Sequence, residues 1–452
     1  MRSPAANADS RLSLWQRVRE YAVPPDMIQA ATARRSVGDW AGACAVTRVD
    51  VDLSLRAVVH RHGRELAARL RDDLRHLAPD LLRWHLPRTA PDGLLRPGLT
   101  VTLARYGPPG RGGVGAAQLV ARTPPAWADA GQRISLAVWA GPGDDVAAHP
   151  HPRPDRRFRL DLHRHLWDAR RAGELRFRSG ADLSAVDPAG PAHGYPAHRW
   201  PAEAALLLRA EDSTGEAVAV RLGPRRRLIL QRRGDEWTAR PGRSTALPVL
   251  PDAATRTPPD VELLRHRMIE PDRLHPLVAS ALAPDAPTTA RARADRPGDR
   301  PRADRPGDRA RLVDCRGARH RIGLVDGVLA PLDHDPAEVR REELLATLTG
   351  TPLPCLRAID EAHRRPDSLP DIRARLDHGD LPGAVAAVEA LLGPDALLRH
   401  GELRAELEDA ALRRISHGLF RAGLAGRCPV PSTRDPRSAS DRRSHPRHAL
   451  FR

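Results

Sequence analysis

The residues most capable of chemistry lie close together at Asp161, His163 and His165, in the run Asp-Leu-His-Arg-His. On a strand, the two histidines would point to the same face and could share a metal ion with the carboxylate, as in a metal-dependent hydrolase. On a helix, residues two apart point about 200° from each other, which prevents chelation. The apolar spacing of residues 156–171 predicts a helix, so we expect surface and half-buried histidines there, with metal binding as the alternative.

Two further strings resemble nucleotide-binding motifs but lack the context that the chemistry needs. Residues 360–363 spell the Asp-Glu-Ala-His box of helicases, yet the apolar residues before them alternate as a helix face rather than as a buried strand. Residues 110–115 match G-x-G-x-x-G, but Pro124 and Pro125 prevent a long helix from following. We interpret the first string as part of a solvated helix and the second as a glycine-rich loop.

The 73 basic side chains are all arginine, because the chain contains no lysine. This excludes P-loop NTPases, protein kinases and Schiff-base enzymes, each of which needs a lysine at the reacting centre. Four cysteines, Cys44, Cys315, Cys355 and Cys428, are widely separated and form no C-x-x-C pair. That spacing argues against a disulfide framework and predicts buried, unreactive thiols. With no complete catalytic set, we expect a protein that is not an enzyme and holds no cofactor.

The periodicity of the apolar residues predicts the helices and strands that must position these side chains. Together they indicate an α+β fold, with a helical N-terminal segment, antiparallel strands, and a separate small, mostly α-helical C-terminal domain. We divide the chain into five regions. A helical segment at 1–92 packs with a mainly antiparallel β region at 93–282, and a disordered linker with an ADRPGDR repeat follows at 283–311. A β-hairpin plus helical domain occupies 312–425, and a disordered basic tail occupies 426–452.

Within these regions, periodicity and turn residues locate individual elements. A capping box at Asp335 and Glu338 predicts a helix start, and Gly350 its end. The string G-D-x-x-G-A occurs at residues 38–43 and 379–384, which predicts two helix–turn–helix junctions of one design. The predicted strands are Leu99–Tyr106, Ala117–Arg122, Ile134–Trp139, Ala205–Ala210, the meander Glu216–Leu222, Arg226–Arg232 and Glu236–Ala239, and the hairpin Leu312–Cys315 with Arg319–Val325.

The charge distribution gives the functional expectation. Of the net charge of +16, +9 falls in residues 291–311 and 426–452. We therefore expect a cytoplasmic, non-catalytic interaction or accessory protein, without a membrane span, that docks an acidic partner protein through helical hairpins and basic segments. Nucleic-acid binding by the basic N-terminal unit is the first alternative, and a metal-dependent hydrolase at residues 161–165 is the second. The candidate partner-binding residues are Arg291, Arg293, Arg296, Arg305, Arg309, Arg442 and Arg443.

Overall fold

The computed structural model describes residues 4–107, 117–141, 149, 151–180, 195–223, 226–286, 311–315, 317–350 and 352–424. The chain forms two compact units, the first of residues 1–287 with 416–452 and the second of residues 288–415. Helices and antiparallel sheets occur in both, which confirms the α+β fold. Across the described ranges, every helix is too short or too polar to cross a membrane.

Five helices open the first unit, and side-chain caps start two of them. The carboxylate of Asp39 accepts a hydrogen bond from the backbone N–H of Gly42, and the hydroxyl of Ser54 accepts one from Ala57. The five helices are α1 (Pro4–Tyr21), α2 (Pro25–Ser36), α3 (Trp40–Val46), α4 (Leu55–His76) and α5 (Pro79–His85). Leucines spaced along α4 and α5 bury one face of each against the main core.

A four-stranded sheet forms the centre of the first unit. Its order is β1-β6-β5-β4, and β1 runs parallel to β6 while the other pairs are antiparallel. The strands are β1 (Val49–Asp52), β4 (Thr100–Tyr106), β5 (Ala117–Arg122) and β6 (Ile134–Trp139), and two strands of two residues each, β2 (Arg88–Thr89) and β3 (Leu94–Leu95), form a separate antiparallel pair. Every residue of β5 is buried, as expected for a central strand. The three long strands expected here are confirmed.

The predicted meander is also confirmed, as β7 (Ala217–Arg221), β8 (Arg227–Arg233) and β9 (Glu236–Pro241). The strand expected at residues 205–210 is wrong, because these residues belong to helix α7 (Trp200–Ala210). Proline at the first turn of this helix and a glutamate after it favour the helical conformation over a strand. The remaining helices of this unit are α6 (Leu175–Arg178), α8 (Asp252–Thr255), α9 (Pro259–Arg265) and α10 (Pro276–Leu282).

The helix predicted over residues 156–171 is wrong as well. The first part of the segment pairs with β4, since Thr102 donates to the carbonyl of Phe158 and accepts from the N–H of Asp161, and the backbone bonds within the segment mostly join residues three apart, so no continuous α-helix forms. After this bridge the chain forms two 3₁₀ turns, at Arg164–Leu166 and Ala169–Glu174. The apolar residues that suggested one face of a helix therefore lie in an irregular segment instead.

The second unit contains a three-stranded antiparallel sheet followed by helices. The hairpin expected from the sequence is confirmed as β10 (Arg311–Cys315) and β11 (Ala318–Val325), and β12 (Val328–Pro331) extends it. The helices that follow are α11 (Pro336–Thr349), α12 (Pro354–Arg364), α13 (Leu369–Asp377), α14 (Leu381–Leu392) and α15 (Glu402–Arg421), whose residues from Ser416 on belong to the first unit. As the capping pattern predicts, the Asp335 carboxylate accepts from Ala337 N–H at the start of α11, and Gly350 ends the helix in the left-handed conformation.

The repeated G-D-x-x-G-A string adopts one cap geometry in both units. Asp39 accepts from Gly42 N–H at 2.8 Å, and Asp380 accepts from Gly383 N–H at 3.2 Å. An arginine five residues before each aspartate donates to its other oxygen, at 3.1 Å in the first case and 3.0 Å in the second. The second glycine is required because a Cβ at Gly383 would lie 2.1 Å from the Asp380 carboxylate oxygen.

Candidate metal centre

The residues proposed from the sequence as metal ligands do not share a coordination site. The carboxylate of Asp161 is held by the guanidinium of Arg159, with both oxygens 2.8 Å from its nitrogens. His163 turns toward a different carboxylate, and its Nε2 lies 3.2 Å from Oε2 of Glu203. The ring of His165 meets that of His163 edge-on, with centroids 5.8 Å apart. Metal binding at 161, 163 and 165, the alternative interpretation of this segment, therefore has no support from the geometry of these three side chains.

These histidines belong to the packing of the first unit. Burial would raise the pKa of Glu203, but His163 and Arg178 outweigh it and lower that pKa to about 2. Burial, with His163 and Arg178 adding positive charge nearby, holds the pKa of His165 well below its usual value. Glu203 is therefore ionised and lies between Arg178 and His163, and the neighbouring imidazole of His165 is neutral. Such a buried network stabilises one arrangement of the fold.

Other candidates lie outside the described residues. These are the glycine-rich string at 110–115 and the arginines proposed to contact a partner, Arg291, Arg293, Arg296, Arg305, Arg309, Arg442 and Arg443. The Asp-Glu-Ala-His string is described and lies on α12, where Asp360 pairs with Arg364 and Arg399. Its position on a helix agrees with the interpretation given above.

A different set of side chains converges in the second unit. One ligand atom from each of Cys315, His334 and Cys355 lies within 4.8 Å of the other two, and this is the one such group of three His, Cys, Asp or Glu residues in the described part of the chain. Cys315 ends β10, His334 follows β12, and Cys355 occupies the first turn of α12. Both thiols are fully buried, and 4% of the His334 side chain is exposed.

The two imidazole nitrogens of His334 have different surroundings. Nε2 of His334 is buried and has no hydrogen-bond partner among the described residues, whereas its Nδ1 lies 3.9 Å from a carboxylate oxygen of Glu338. A second imidazole, His320, stacks on His334 with centroids 4.3 Å apart and planes at 17°, and its Nδ1 is also buried without a partner there. His320 faces the same side of the sheet as Cys315, because the register pairs Cys315 with Ala318, two residues away.

The sequence spacing hides this cluster. The residues follow the pattern C-x4-H-x13-H-x20-C, which contains no pair of ligands two to four residues apart. Only the hairpin register and the packing of α12 against β10 bring Cys315 and Cys355 together. Burial, with the Cys315 thiol adding to it, raises the pKa of the Cys355 thiol to about 11, which agrees with the buried, unreactive thiol expected from the sequence.

Helix α11 lies in the chain between two members of the cluster, His334 and Cys355. None of its described side chains is buried. Leu344 is 63% exposed and Leu348 is 84% exposed, while Arg340 and Arg341 are also exposed one to two turns earlier. The helix thus presents a leucine and arginine surface that the described residues leave open.

Comparison with known protein families, curated proteins and solved structures finds no match to this chain.

Proposed function

We propose that this chain is a non-catalytic interaction protein that docks an acidic partner protein, and that α11 carries the described part of the docking surface. The observation that supports this is the exposed face of α11. Arg340, Leu344 and Leu348 follow each other at i, i+4 and i+8, so they form one row along the helix. Arg341 and Leu348 are seven residues apart, which adds a second cation to the same surface.

The composition of this face favours one kind of occupant. Exposed leucines at helical spacing match a helix laid against them with its own apolar stripe. Neither Arg340 nor Arg341 has a carboxylate partner among the described residues, although both lie beside the leucines. A partner helix that alternates apolar and acidic residues would cover the leucines and pair with both guanidinium groups. The occupant we infer is therefore an acidic amphipathic segment of another protein.

The charge of the remaining chain agrees with this partner. Arginines at 291, 293, 296, 305 and 309, in the basic segment 291–311, and at 442 and 443, in the basic segment 426–452, would add attraction for an acidic surface. We also propose a cytoplasmic location, because free cysteine thiols persist in reducing compartments.

The docking surface is tested with a fluorescent peptide that carries leucine and glutamate at helical spacing, and with a scrambled peptide of the same composition. We expect the ordered peptide to bind the full chain, and the double variant R340E/R341E or the variant L348D to weaken binding by about tenfold or more, as measured by fluorescence anisotropy. The matched controls are L397D, at a leucine 89% exposed elsewhere in the second unit, and R176E in the first unit.

Equal binding of the two peptides, or equal affinity of L348D and L397D, would contradict docking at α11. Weaker binding at higher salt in the wild-type protein, but not in R340E/R341E, would assign the attraction to these two arginines.

Nucleic-acid binding through the first unit stays the alternative prediction. Many arginines described there already form ion pairs with carboxylates, including Arg19 with Asp260 and Arg178 with Glu203. Such arginines are not available for phosphate contacts. A gel-shift series decides between the two functions, since phosphate binding requires affinity that falls steeply and linearly on a log–log plot against salt.

A further inference from the structure

We propose that Cys315, His334 and Cys355 bind one zinc ion and that His320 supplies the fourth ligand, which makes a closed Cys2His2 site in the second unit. The site is independent of the docking proposal, because it depends on a different set of atoms. Four ligands from the protein leave no position for water, so the ion would be structural rather than catalytic.

The distances fit a metal site that needs little rearrangement. Around tetrahedral zinc, with Zn–S bonds of about 2.3 Å and Zn–N bonds of about 2.0 Å, ligand atoms lie roughly 3.3–3.8 Å apart. The ligand atoms of Cys315, His334 and Cys355 already lie within 4.8 Å of one another. Small rotations of the side chains close the remaining distance, since the strand and helix that carry the two thiols are packed together.

The chemistry of the donors selects the metal. Two thiolates and imidazole nitrogens suit zinc, whereas magnesium, calcium and manganese prefer oxygen ligands. Binding displaces the thiol protons from both cysteines and leaves each sulfur negative, so the two thiolates neutralise the divalent ion. Their complete burial excludes water that would otherwise compete for the metal.

The unpartnered nitrogens indicate how the histidines bind. A buried imidazole nitrogen without a hydrogen-bond partner is unfavourable, and Nε2 of His334 is such an atom. A metal ion on the cysteine side would satisfy it. Its other nitrogen lies 3.9 Å from a carboxylate oxygen of Glu338, so a small movement of that side chain would form the hydrogen bond by which a carboxylate orients a metal-bound histidine.

The fourth ligand follows from the sheet. His320 lies on the face of the hairpin that carries Cys315, and its buried Nδ1 also lacks a partner among the described residues. Its ring is stacked against that of His334, which places this imidazole beside the three ligands that already lie within 4.8 Å of one another, and a rotation of the side chain would bring a nitrogen to the metal. Coordination by His320 would satisfy the second orphaned nitrogen and exclude water from the site.

Zinc at this position would also hold the ends of α11. The ligands come from β10, from the segment after β12 and from the start of α12, and α11 connects the last two. Because no described side chain of α11 is buried, the helix contributes little burial energy of its own. A metal bound to His334 before α11 and to Cys355 after it would restrain both ends of the helix, which its own side chains do not do.

The test uses the full chain without a histidine tag, purified under reducing conditions, loaded with zinc and desalted. Elemental analysis should find about one zinc per chain. The variants C315S, C355S and H334A should lose it, and H320A should bind it more weakly in competition with a chelator. The controls C44S and H363A, at another buried thiol and another buried imidazole, should keep the zinc.

Two further measurements address variants that fail to fold. In the unmodified protein, zinc should slow alkylation of Cys315 and Cys355 relative to the chelated form, as quantified by mass spectrometry. Cobalt in place of zinc should show thiolate-to-metal absorption, and H320A should change its ligand-field bands. Fewer than about one zinc per ten chains after loading, or a disulfide between the two cysteines in the reduced preparation, would overturn the site. Unchanged cobalt bands in H320A would overturn the fourth ligand.

Discussion

Acid should destabilise the first unit through His85, the last residue of α5. Its imidazole is 5% exposed and its Nδ1 lies 3.1 Å from the carbonyl of Leu81. Nε2 is buried without a hydrogen bond, 3.8 Å from the carboxylate of Asp260. Burial lowers the pKa of His85 to about 4, because the attraction of Asp260 is opposed by Arg19 and His275. The native state therefore keeps this imidazole neutral at pH values where the unfolded chain protonates it.

The magnitude follows from the difference in pKa. The usual value is 6.5 and the value in the folded protein is about 4, a difference worth about 3 kcal/mol at 1.36 kcal/mol per unit. The unfolded state binds the extra proton, so stability falls as the pH falls below 6.5 and the loss is complete below 4. Between pH 7 and pH 5 His85 alone should lower the free energy of unfolding by about 2 kcal/mol.

The charges around His85 set the conditions of the measurement. Asp260 is bonded to Arg19 and to the indole N–H of Trp84, and His275 bonds to Asp80. His149 and His165 also have pKa values below the usual one and add to the acid sensitivity of the wild-type protein. The quantity to compare between wild type and variant is therefore the change in the free energy of unfolding with pH, rather than its value at one pH.

Urea unfolding of wild type and H85Q, followed by tryptophan fluorescence at pH 7 and pH 5, measures this quantity. All eight tryptophans lie between residues 15 and 237, so the signal reports the first unit. H85Q should be less stable at pH 7 but should lose about 2 kcal/mol less than wild type on acidification. H76Q, at a surface histidine, is the control. An equal loss in wild type and H85Q would refute the assignment of acid sensitivity to His85.

The remaining predictions concern single contacts. The variant E203Q should destabilise the first unit by about 3 kcal/mol, because Arg178 would be left partly buried without its carboxylate, whereas E174Q on the surface should change little. The variant G383A should lower stability by about 1 kcal/mol, since its Cβ displaces the capping carboxylate of Asp380. G418A, at an exposed helical glycine with open space around it, should instead gain up to about 1 kcal/mol; thermal melting by circular dichroism measures both.

The sequence predicts an element correctly where the interactions that determine that element are between residues close together in the chain. Asp39, Asp335 and Asp380 each cap a helix at the position indicated by the residues around them. The meander β7–β9 follows from apolar alternation between turn residues, and the hairpin of β10 and β11 follows in the same way.

Two of the failures, the helix expected at residues 156–171 and the missed cluster of Cys315, His334 and Cys355, have a common physical cause. Residues 156–171 have helical periodicity, but the backbone groups of Phe158 and Asp161 bond to Thr102, more than fifty residues away. Cys315 and Cys355 are forty residues apart and meet through sheet register and helix packing. In each case a tertiary contact decides the outcome, and no local preference encodes it.

The positions of the cysteines and histidines explain why a metal would be useful in a unit of this size. Cys315 and Ile322 of the sheet pack with Leu353, Cys355 and Ile359, from α12 and the residue before it, in a small cluster that is distinct from the larger one formed by the helices of this unit. A cluster so small gives the sheet limited stabilisation, which small domains commonly supplement with a metal or a disulfide. Two of its five buried residues are the thiols that face His334. The two thiols of this cluster are thus also proposed zinc ligands, and two of the proposed ligands, His334 and Cys355, lie on either side of α11 in the sequence.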